Sequence, residues 1–558
     1  MFIKRTRSKN FIYLSLAETY RENGKVKHRV IKNLGRLDRI KDADEINRLV
    51  ASLKAINYRE PYVGLSELRE VDRLNWGAVA VCRALWRELE LDRAMDKTPG
   101  ESKLQFDLKG VVFLEVISRL VKPCSKLRLF QMQNYFYDTP EVELQHLYRA
   151  LNHLSKAKDL LEQHLFRRRR VLNRLEVDLV FYDVTTIYFE SVKPDELKNF
   201  GYSKDCKFGE VQVVLGMLVG SDGQPISCEI YPGNTFESKT LENALTGLRK
   251  RFDVRHVIVV ADRGINSKLN LKAIKDAGFD YLVGCKLRGM KKSIQEEALD
   301  RSKYETIYEE EEKVLKCYQM DYTNVVATTE ANGLKRMHEL KEKLYCFWSS
   351  SRVEKDRKDR ERLVEKAQQI VEKPASYERK TGARRYIKKS KGTKENKKLD
   401  VDRIERDEKW DGFYAIESSK SDLSPGDVRA AYHTLWRIEE SFRVLKTNLE
   451  IRPVFHWTEE RIRGHVVVCF LAFLLERTLE LKLLEKGSSM SPTEIQEAML
   501  SLEFSKVAVG DTSYHLNSRI TEGASQLLDA VGLPHPPNLC AENEFTKYLE
   551  GQSIMAAV

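Results

Sequence analysis

Two apolar runs that each stop on an aspartate constrain this chain more than any other feature. In the first, Leu175, Val177, Leu179 and Phe181 alternate with other residues and the run stops at Asp183-Val184-Thr185-Thr186. A period of two is that of a strand with one face in a core. In the second, His256-Val257-Ile258-Val259-Val260-Ala261 ends on Asp262, a pattern expected of a strand covered on both faces. Between them, Val211 to Val219 and Ile226 to Tyr231 read as strands joined by the turn Ser221-Asp222-Gly223-Gln224-Pro225. Leu241 to Arg251 reads as a helix, and a helix near Lys268 to Asp276 and a strand at Tyr281 to Cys285 follow. Three strands, helix, strand, helix, strand predicts an α/β unit whose mixed sheet is flanked by helices.

The rest of the chain must be divided around this unit, because 558 residues exceed what one hydrophobic core organises. Residues 1–60 read as a basic β-hairpin module turning at Glu22-Asn23-Gly24-Lys25, and 61–175 as a helical domain, expected to bind the DNA ends, that finishes in Arg167-Arg168-Arg169-Arg170. That run is either a solvated helix face or a phosphate-contacting patch. Residues 176–285 carry the first part of the core, 286–409 an irregular, charged insertion with strand-like fragments (Tyr322 to Thr328, Leu344 to Trp348), 410–485 its second part, and 486–558 a C-terminal helical region. Lys and Arg total 95 against 84 Asp and Glu, a net +11 that favours a polyanionic partner. Nine Cys without a C-x-x-C pair argue against a disulfide framework or a structural zinc. The first residues are charged where an export signal needs an apolar run, and Val466 to Leu475, the longest apolar run, is too short for a bilayer. A cytoplasmic protein with no membrane partner is expected.

A third carboxylate comes from a helix. Ser424-Pro425-Gly426-Asp427 is a helix start, and Val428, Ala431, Leu435, Ile438, Phe442 and Leu445 form one apolar stripe. Tyr432, Glu439 and Lys446, seven apart, stack on one line beside that stripe, whereas Glu440 falls about 100° further round, on the solvent side. Periodicity therefore predicts Glu439 as the carboxylate facing the sheet. Each acidic residue alone has a structural explanation. Two aspartates at the ends of neighbouring buried strands with a glutamate on the covering helix are different, because converging carboxylates repel and need cations between them. Oxygen ligands select magnesium, with manganese as substitute, and two such ions activate a water or a 3′-hydroxyl at a phosphodiester.

Tyr182-Asp183-Val184-Thr185-Thr186, Val259-Val260-Ala261-Asp262-Arg263-Gly264 and the helix Tyr432-His433-Thr434-Leu435-Trp436-Arg437-Ile438-Glu439-Glu440, continuing to Phe442-Arg443 and Lys446, resemble the DDE transposases of bacterial insertion sequences, in the branch with a Y-R-E-K signature. Gly201-Tyr202-Ser203-Lys204-Asp205 and Pro232-Gly233-Asn234-Thr235 are similar to further stretches of that group. The resemblance spans about Asp178 to Leu484. It implies an RNase H-like core, catalytic and metal-holding roles for Asp183, Asp262 and Glu439, and a β-rich insertion. It further implies binding of double-stranded DNA at inverted-repeat ends and target, and a homodimer pairing two ends. The signature's arginine falls on Leu435, so Arg443 with Lys446 is the expected substitute, Arg437 pointing away. Tyr432, Arg443, Lys446 and Arg167 to Arg170 are the expected DNA contacts. Trp410, Phe413 and Tyr414 could stack a displaced base, core packing being the alternative. The implied activity is metal-dependent strand cleavage and transfer. Competing readings are an RNase H-like nuclease without joining, and a non-catalytic sequence-specific DNA-binding protein.

Overall fold

The computed structural model describes residues 2–22, 25–39, 69–98, 104–173, 179–201, 209–252, 257–310, 313–329, 333–372, 382–388, 398–509 and 512–549. The expected hairpin is present as strands β2 (Phe11–Glu22) and β3 (Lys25–Arg36), and β1 (Phe2–Ser8) adds a third antiparallel strand. Strand β4 (Arg69–Asn75) leads into helices α1 (Gly77–Glu88), α2 (Leu91–Met95), α3 (Leu108–Val121), α4 (Lys126–Met132) and α5 (Leu144–Asn173). Asp107 and Ser125 begin α3 and α4 as N-caps, accepting from the backbone N–H groups of Gly110 and Arg128.

Next come β5 (Leu179–Tyr188), β6 (Gln212–Gly220), β7 (Pro225–Pro232), α6 (Glu237–Phe252), β8 (Ile258–Ala261), α7 (Lys268–Asp276) and β9 (Asp280–Cys285). They lie in the order β7-β6-β5-β8-β9. β5, β6 and β7 pair antiparallel, and β8 and β9 are added parallel to β5. Gly223, at φ +80° in the β6–β7 turn, takes the left-handed conformation that the turn requires.

The segment 286–409 does not stand apart from this sheet. It contributes α8 (Lys292–Leu299), β10 (Glu305–Glu310), β11 (Lys313–Thr329), β12 (Lys335–Ser349), α9 (Ser350–Glu372), the short pair β13 (Ile387–Lys388) and β14 (Lys398–Leu399), and α10 (Val401–Glu408). Strand β15 (Phe413–Ser418) joins β12 on one side and β9 on the other, so one nine-stranded sheet runs β10-β11-β12-β15-β9-β8-β5-β6-β7. The long β11–β12 hairpin thereby covers the backbone edge that β15 would otherwise expose.

The C-terminal third comprises α11 (Pro425–His433), α12 (Trp436–Thr447), α13 (Glu459–Glu485), α14 (Pro492–Ser501), β16 (Glu503–Val509), β17 (Thr512–Asn517), α15 (Glu522–Ala530), β18 (Leu539–Ala541) and α16 (Glu542–Leu549). The expectation of a helical region at 486–558 is corrected by the addition of strands: β18-β17-β16-β4 form a four-stranded sheet whose last strand comes from the other end of the chain. Such a pairing has no local signal. Helix α13 is apolar on nearly every side, and Val466 to Leu475 are all buried, the helix packing on α3, α5 and α15. At Gly464 an added Cβ would stand 2.0 Å from the Leu151 carbonyl oxygen, so only glycine lets α13 approach α5 this closely. One core thus joins the helical domain, the C-terminal region and one face of the large sheet. The other face is covered by α6 and α7.

This core holds a histidine with no polar partner. His515 is fully buried, stacks on Phe504 with ring centroids 3.8 Å apart, and neither ring nitrogen has a hydrogen-bond partner. Burial lowers its pKa to about 4. The unfolded chain takes up a proton near pH 6.5 that the folded protein refuses, so stability present above that pH is lost as pH falls toward about 4. We expect His515→Phe to flatten this loss in thermal melts between about pH 7 and pH 4.5. An unchanged pH dependence would assign the loss to other groups.

Candidate active site

The register of β5 against β8 aligns the two aspartates. Leu179 pairs with Ile258, Val180 with Val259 and Phe181 with Val260, and two further steps along the same register set Asp183 opposite Asp262. Adjacent strands lie about 4.8 Å apart. Phe181 and Val260 face the core shared with α11 and α12, whereas Val180, Val259 and Ala261 face the opposite one. Side chains alternate along a strand, so Asp183 projects on the face that carries α11 and α12, and Asp262 is the first residue past Ala261 at the end of β8.

β5 does not stop at Asp183, as the sequence suggested, but runs to Tyr188, because β6 keeps pairing with it through Thr185, Ile187 and Tyr188. What ends at this level is β8, whose last residue is Ala261. The carboxylates thus stand where parallel strands part at their C-terminal ends, the usual position of a crevice in such a sheet. Asp183 Oδ1 accepts from the Val184 N–H at 2.7 Å and Asp262 Oδ1 from the Gly264 N–H at 2.6 Å.

The loop after Asp262 is tied down by residues that sequence reasoning missed. Asn266 Nδ2 donates to the Gly284 carbonyl and to Glu417 Oε2, both at 2.9 Å, fastening the loop to β9 and β15. Glu417 is 4% exposed. A glutamate inside the strand Phe413-Tyr414-Ala415-Ile416-Glu417 was the available signal, since a buried carboxylate must be matched by donors.

The glutamate helix is two helices. Ser424 caps α11, accepting from the Asp427 N–H, with Pro425 at its first turn. α11 ends at His433, and the tightened turn that follows, with Leu435 N–H bonded to the Tyr432 carbonyl and Arg437 N–H to that of Thr434, leads into α12. The stripe Val428, Ala431, Ile438, Phe442, Leu445 is nonetheless buried, with α11 packed on β8 and β9 and α12 on β5. Tyr432 lies beside the Gly284 backbone, where an added Cβ would stand 2.2 Å from its hydroxyl. Burial raises its phenol pKa, Arg263 opposes this, and Asp262 adds to it.

The expected exposures of the two glutamates are reversed. Glu439 is exposed and Glu440 is half-buried, because Glu440 sits on the flank turned toward α13, where it pairs with Arg477 at 3.1 Å and with Arg443 at 3.0 Å. Among the described residues Glu439 has no hydrogen bond or ion pair, so Glu440 is the engaged carboxylate and Glu439 the available one. Arg443 remains largely exposed in its pair with Glu440, a contact worth little in water. Arg437 donates to the Ser221 carbonyl in the β6–β7 turn at 2.7 Å, and Lys446 is half-buried.

The run Arg167 to Arg170 divides. Its assignment as four DNA contacts is corrected at two positions. Arg169 is 6% exposed and donates to the Pro225 carbonyl and to Asp222, and Arg168 donates to the Glu88 carbonyl and pairs with Glu90. They fasten α5 to its neighbours, which helical periodicity alone does not reveal. Arg167 and Arg170 are exposed. Tyr202 to Asp205 and most of the lysine-rich run after Lys388 lie outside the described residues.

Among the described residues, one group of three acidic side chains brings its ligand atoms within 4.8 Å of one another, and it is Asp159, Glu162 and Glu229. Lys158 and Arg251 already sit among these carboxylates, which makes the group an ion-pair network and a poor cation site. Asp183, Asp262 and Glu439 are spaced more widely. Their donor chemistry, three carboxylates with no thiolate or imidazole, fits a hard divalent cation.

Beside Asp262 a cleft of about 760 Å³ opens between the sheet and α9, with Arg263 and Tyr432 in its wall. Arg288 lies over the Trp410 ring at 5.8 Å and Arg352 over the Tyr414 ring at 5.2 Å. Tyr414 also stacks on Phe347 and Phe413 packs edge-on against Tyr304, so both serve the core.

Residues 3–61 match the N-terminal domain of IS1634 family transposases, and residues 177–475, more than half of the chain, match the transposase DDE domain. The chain belongs to the DDE transposases of insertion sequences. It is an enzyme of DNA transposition, and its domain type implies the use of divalent metal ions. Among solved structures, the piggyBac transposase synaptic complex with hairpin DNA shares 9% identity over 76% of each chain at a TM-score of 0.34. The Mos1 transposase paired-end complex with left transposon end shares 12% over 44% of this chain and 74% of that one at 0.14. These likenesses are too slight to carry an argument. No curated protein matches the chain. Among the described residues no helix is long and apolar enough to cross a membrane.

Proposed function

We propose that Asp183, Asp262 and Glu439 hold magnesium, with manganese able to replace it, and that with these ions the protein cuts DNA at the ends of its own element and joins those ends to a target. The observation that carries this reading is the parallel register of β5 and β8, which leads to Asp183 and, one residue past the end of β8, to Asp262, in a sheet whose one face bears the glutamate helix. The strand order β7-β6-β5-β8-β9 supports an RNase H-like core, and Tyr432, Glu439 and Lys446 fit the Y-R-E-K branch with Leu435 in place of its arginine. When bound, the metal supplies charge stabilisation for the attacking and leaving oxygens of the phosphodiester. The protein's own part is to fix the carboxylates, through the Asn266–Glu417 tie at Asp262, and to hold the DNA. Arg443, exposed and one turn from Glu439, is suited to a phosphate beside the scissile bond; Arg437 is committed to the β6–β7 turn. The test is a duplex carrying the element's end, incubated with the protein, magnesium and a supercoiled target. Nicked ends together with joined products are expected. Nicks without joining would favour a nuclease.

End recognition we assign to the N-terminal sheet. Its register places Arg5, Arg7, Lys25, Lys27, Arg29 and Lys32 on one face together with Glu18 and Glu22, which pair with Arg29 and Lys27, leaving a net positive face of the kind a nucleic acid requires. Because β4 pairs with β16 and α5 packs on α13, residues 61–175 are not a separable unit, so the full chain must be tested. Changing Lys25, Lys27 and Lys32 to Gln is expected to weaken end binding and to reduce the salt slope by about 0.9 per lost phosphate contact. Titrations at several salt concentrations read both quantities, and an unchanged slope would remove this surface from the proposal.

Dimer formation on paired ends and the division of the chain into an end-binding N-terminal part, a split catalytic core and an insertion belong to the same reading.

A further inference from the structure

The segment between α12 and α13 roofs a small cavity of about 120 Å³, walled by Arg119 of α3, Lys126 of α4, and Arg452, His456 and His465. Arg119 and Lys126 are only 7% and 4% exposed. Arg119 spends Nη1 on the carbonyls of Leu449 and Glu450 and Nη2 on that of Cys124, and its buried Nε has no partner. His465 donates from Nε2 to the Ile451 carbonyl at 3.1 Å, and its buried Nδ1 also has no partner. Two carboxylates oppose the cations: Glu115, buried and 3.1 Å from Lys126, and Glu450, exposed at the rim. Arg461, over the Tyr148 ring at 5.1 Å, adds a further positive charge near the mouth. Positive charge is thus in excess in a space sheltered from water, where electrostatic interactions are strong. Burial, and after it Lys126, Arg119 and Arg461, lower the pKa of His456 to about 3.

We propose that this cavity seats a phosphate group, and, resting on the transposase reading above, that it is a backbone phosphate of the bound DNA. The cavity is far below the 300–1,000 Å³ of sites that enclose a whole small molecule, whereas a single tetrahedral oxyanion needs only convergent donors. Arg119 Nε and the Lys126 ammonium supply them, and Arg452 lines the same cavity, its guanidinium lying over the ring of Tyr188 at the end of β5. Phe455 and Trp457, on the same segment, are 62% and 69% exposed. Phe455 lines the cavity, where the sugar and base of that nucleotide would lie, and Trp457, two residues on, has Lys198 over its ring at 5.4 Å.

Inorganic phosphate is the first probe, since it needs neither cleavage nor joining. Phosphate should raise the thermal unfolding midpoint of the full-length protein above that in chloride of equal ionic strength. The rise should vanish in Arg452→Gln and in the double variant Glu115→Gln/Lys126→Met, which removes the buried ion pair together and keeps Arg119 on its three carbonyls. No rise in the parent, or an equal rise in both variants, overturns the site. The second arm uses end duplexes in which one phosphate at a time is replaced by a neutral methylphosphonate. One linkage should weaken binding by about tenfold in the parent and not in Arg452→Gln. A phosphate-dependent rise with no sensitive linkage would assign the cavity to free phosphate and overturn its role toward DNA, whether or not the protein proves to join strands.

Discussion

Asp183→Asn and Asp262→Asn proteins should bind end DNA with the parent's affinity and cut it on the order of 10³-fold more slowly or worse, the scale seen when one member of a cooperating catalytic set is removed. Each change keeps shape and volume but deletes a ligand charge, so the loss belongs to chemistry and not to folding. Matched melting curves check this. Glu439→Gln should behave in the same way. Glu440→Gln should keep most of its cleavage rate and lose stability instead, since it strips Arg477, 7% exposed at its side chain, of one carboxylate. A time course of nicking on a labelled end duplex separates the two glutamates. Parent-like cleavage by Glu439→Gln, with a dead Glu440→Gln protein, would transfer the catalytic role to Glu440.

The largest effect on stability is expected at Glu162. This carboxylate of α5 is 2% exposed and is met by Arg251 of α6 at 3.0 Å, Lys158 at 3.2 Å, the Ser227 hydroxyl at 2.8 Å and the Cys228 N–H at 3.0 Å. Glu229 of β7 completes the network, 2.9 Å from Lys158 and 2.7 Å from Arg251. The surrounding carboxylates hold the Lys158 ammonium and the Arg251 guanidinium above their ordinary pKa values. Removing the central carboxylate leaves two sheltered cations short of a partner, which typically costs about 3–5 kcal/mol. Glu162→Ala should therefore lower the midpoint of urea unfolding sharply, while Asp159→Ala, whose carboxylate is mostly in water, should hardly move it. Similar midpoints for the two would show that the network contributes little. Because it joins α5 to β7 and α6, its loss should also loosen the helical domain from the catalytic sheet.

The strand that carries Asp183, the strand that ends before Asp262, the β6–β7 turn and the capped start of α11 were legible because each rests on local rules: alternation, turn chemistry and a serine N-cap. Periodicity also selected the buried stripe of the glutamate helix, and it failed one step later. The two glutamates lie symmetrically on either flank of that stripe, and only the presence of Arg477 on α13 decides which is engaged. Arg168 and Arg169 were misread for the same reason: a helix face is polar in sequence whether it meets water, a carbonyl or a carboxylate.

What the sequence determined by itself was the kind of protein, since the three carboxylates, the elements that carry them and the family resemblance are all local in the chain. The tertiary structure alone decided the alignment of Asp183 with Asp262, the Asn266–Glu417 tie, the pairing of β4 with β16 and the cation-lined cavity beneath the α12–α13 segment. Each joins residues far apart in sequence, and the register, burial and charge that define them do not exist until the chain has folded.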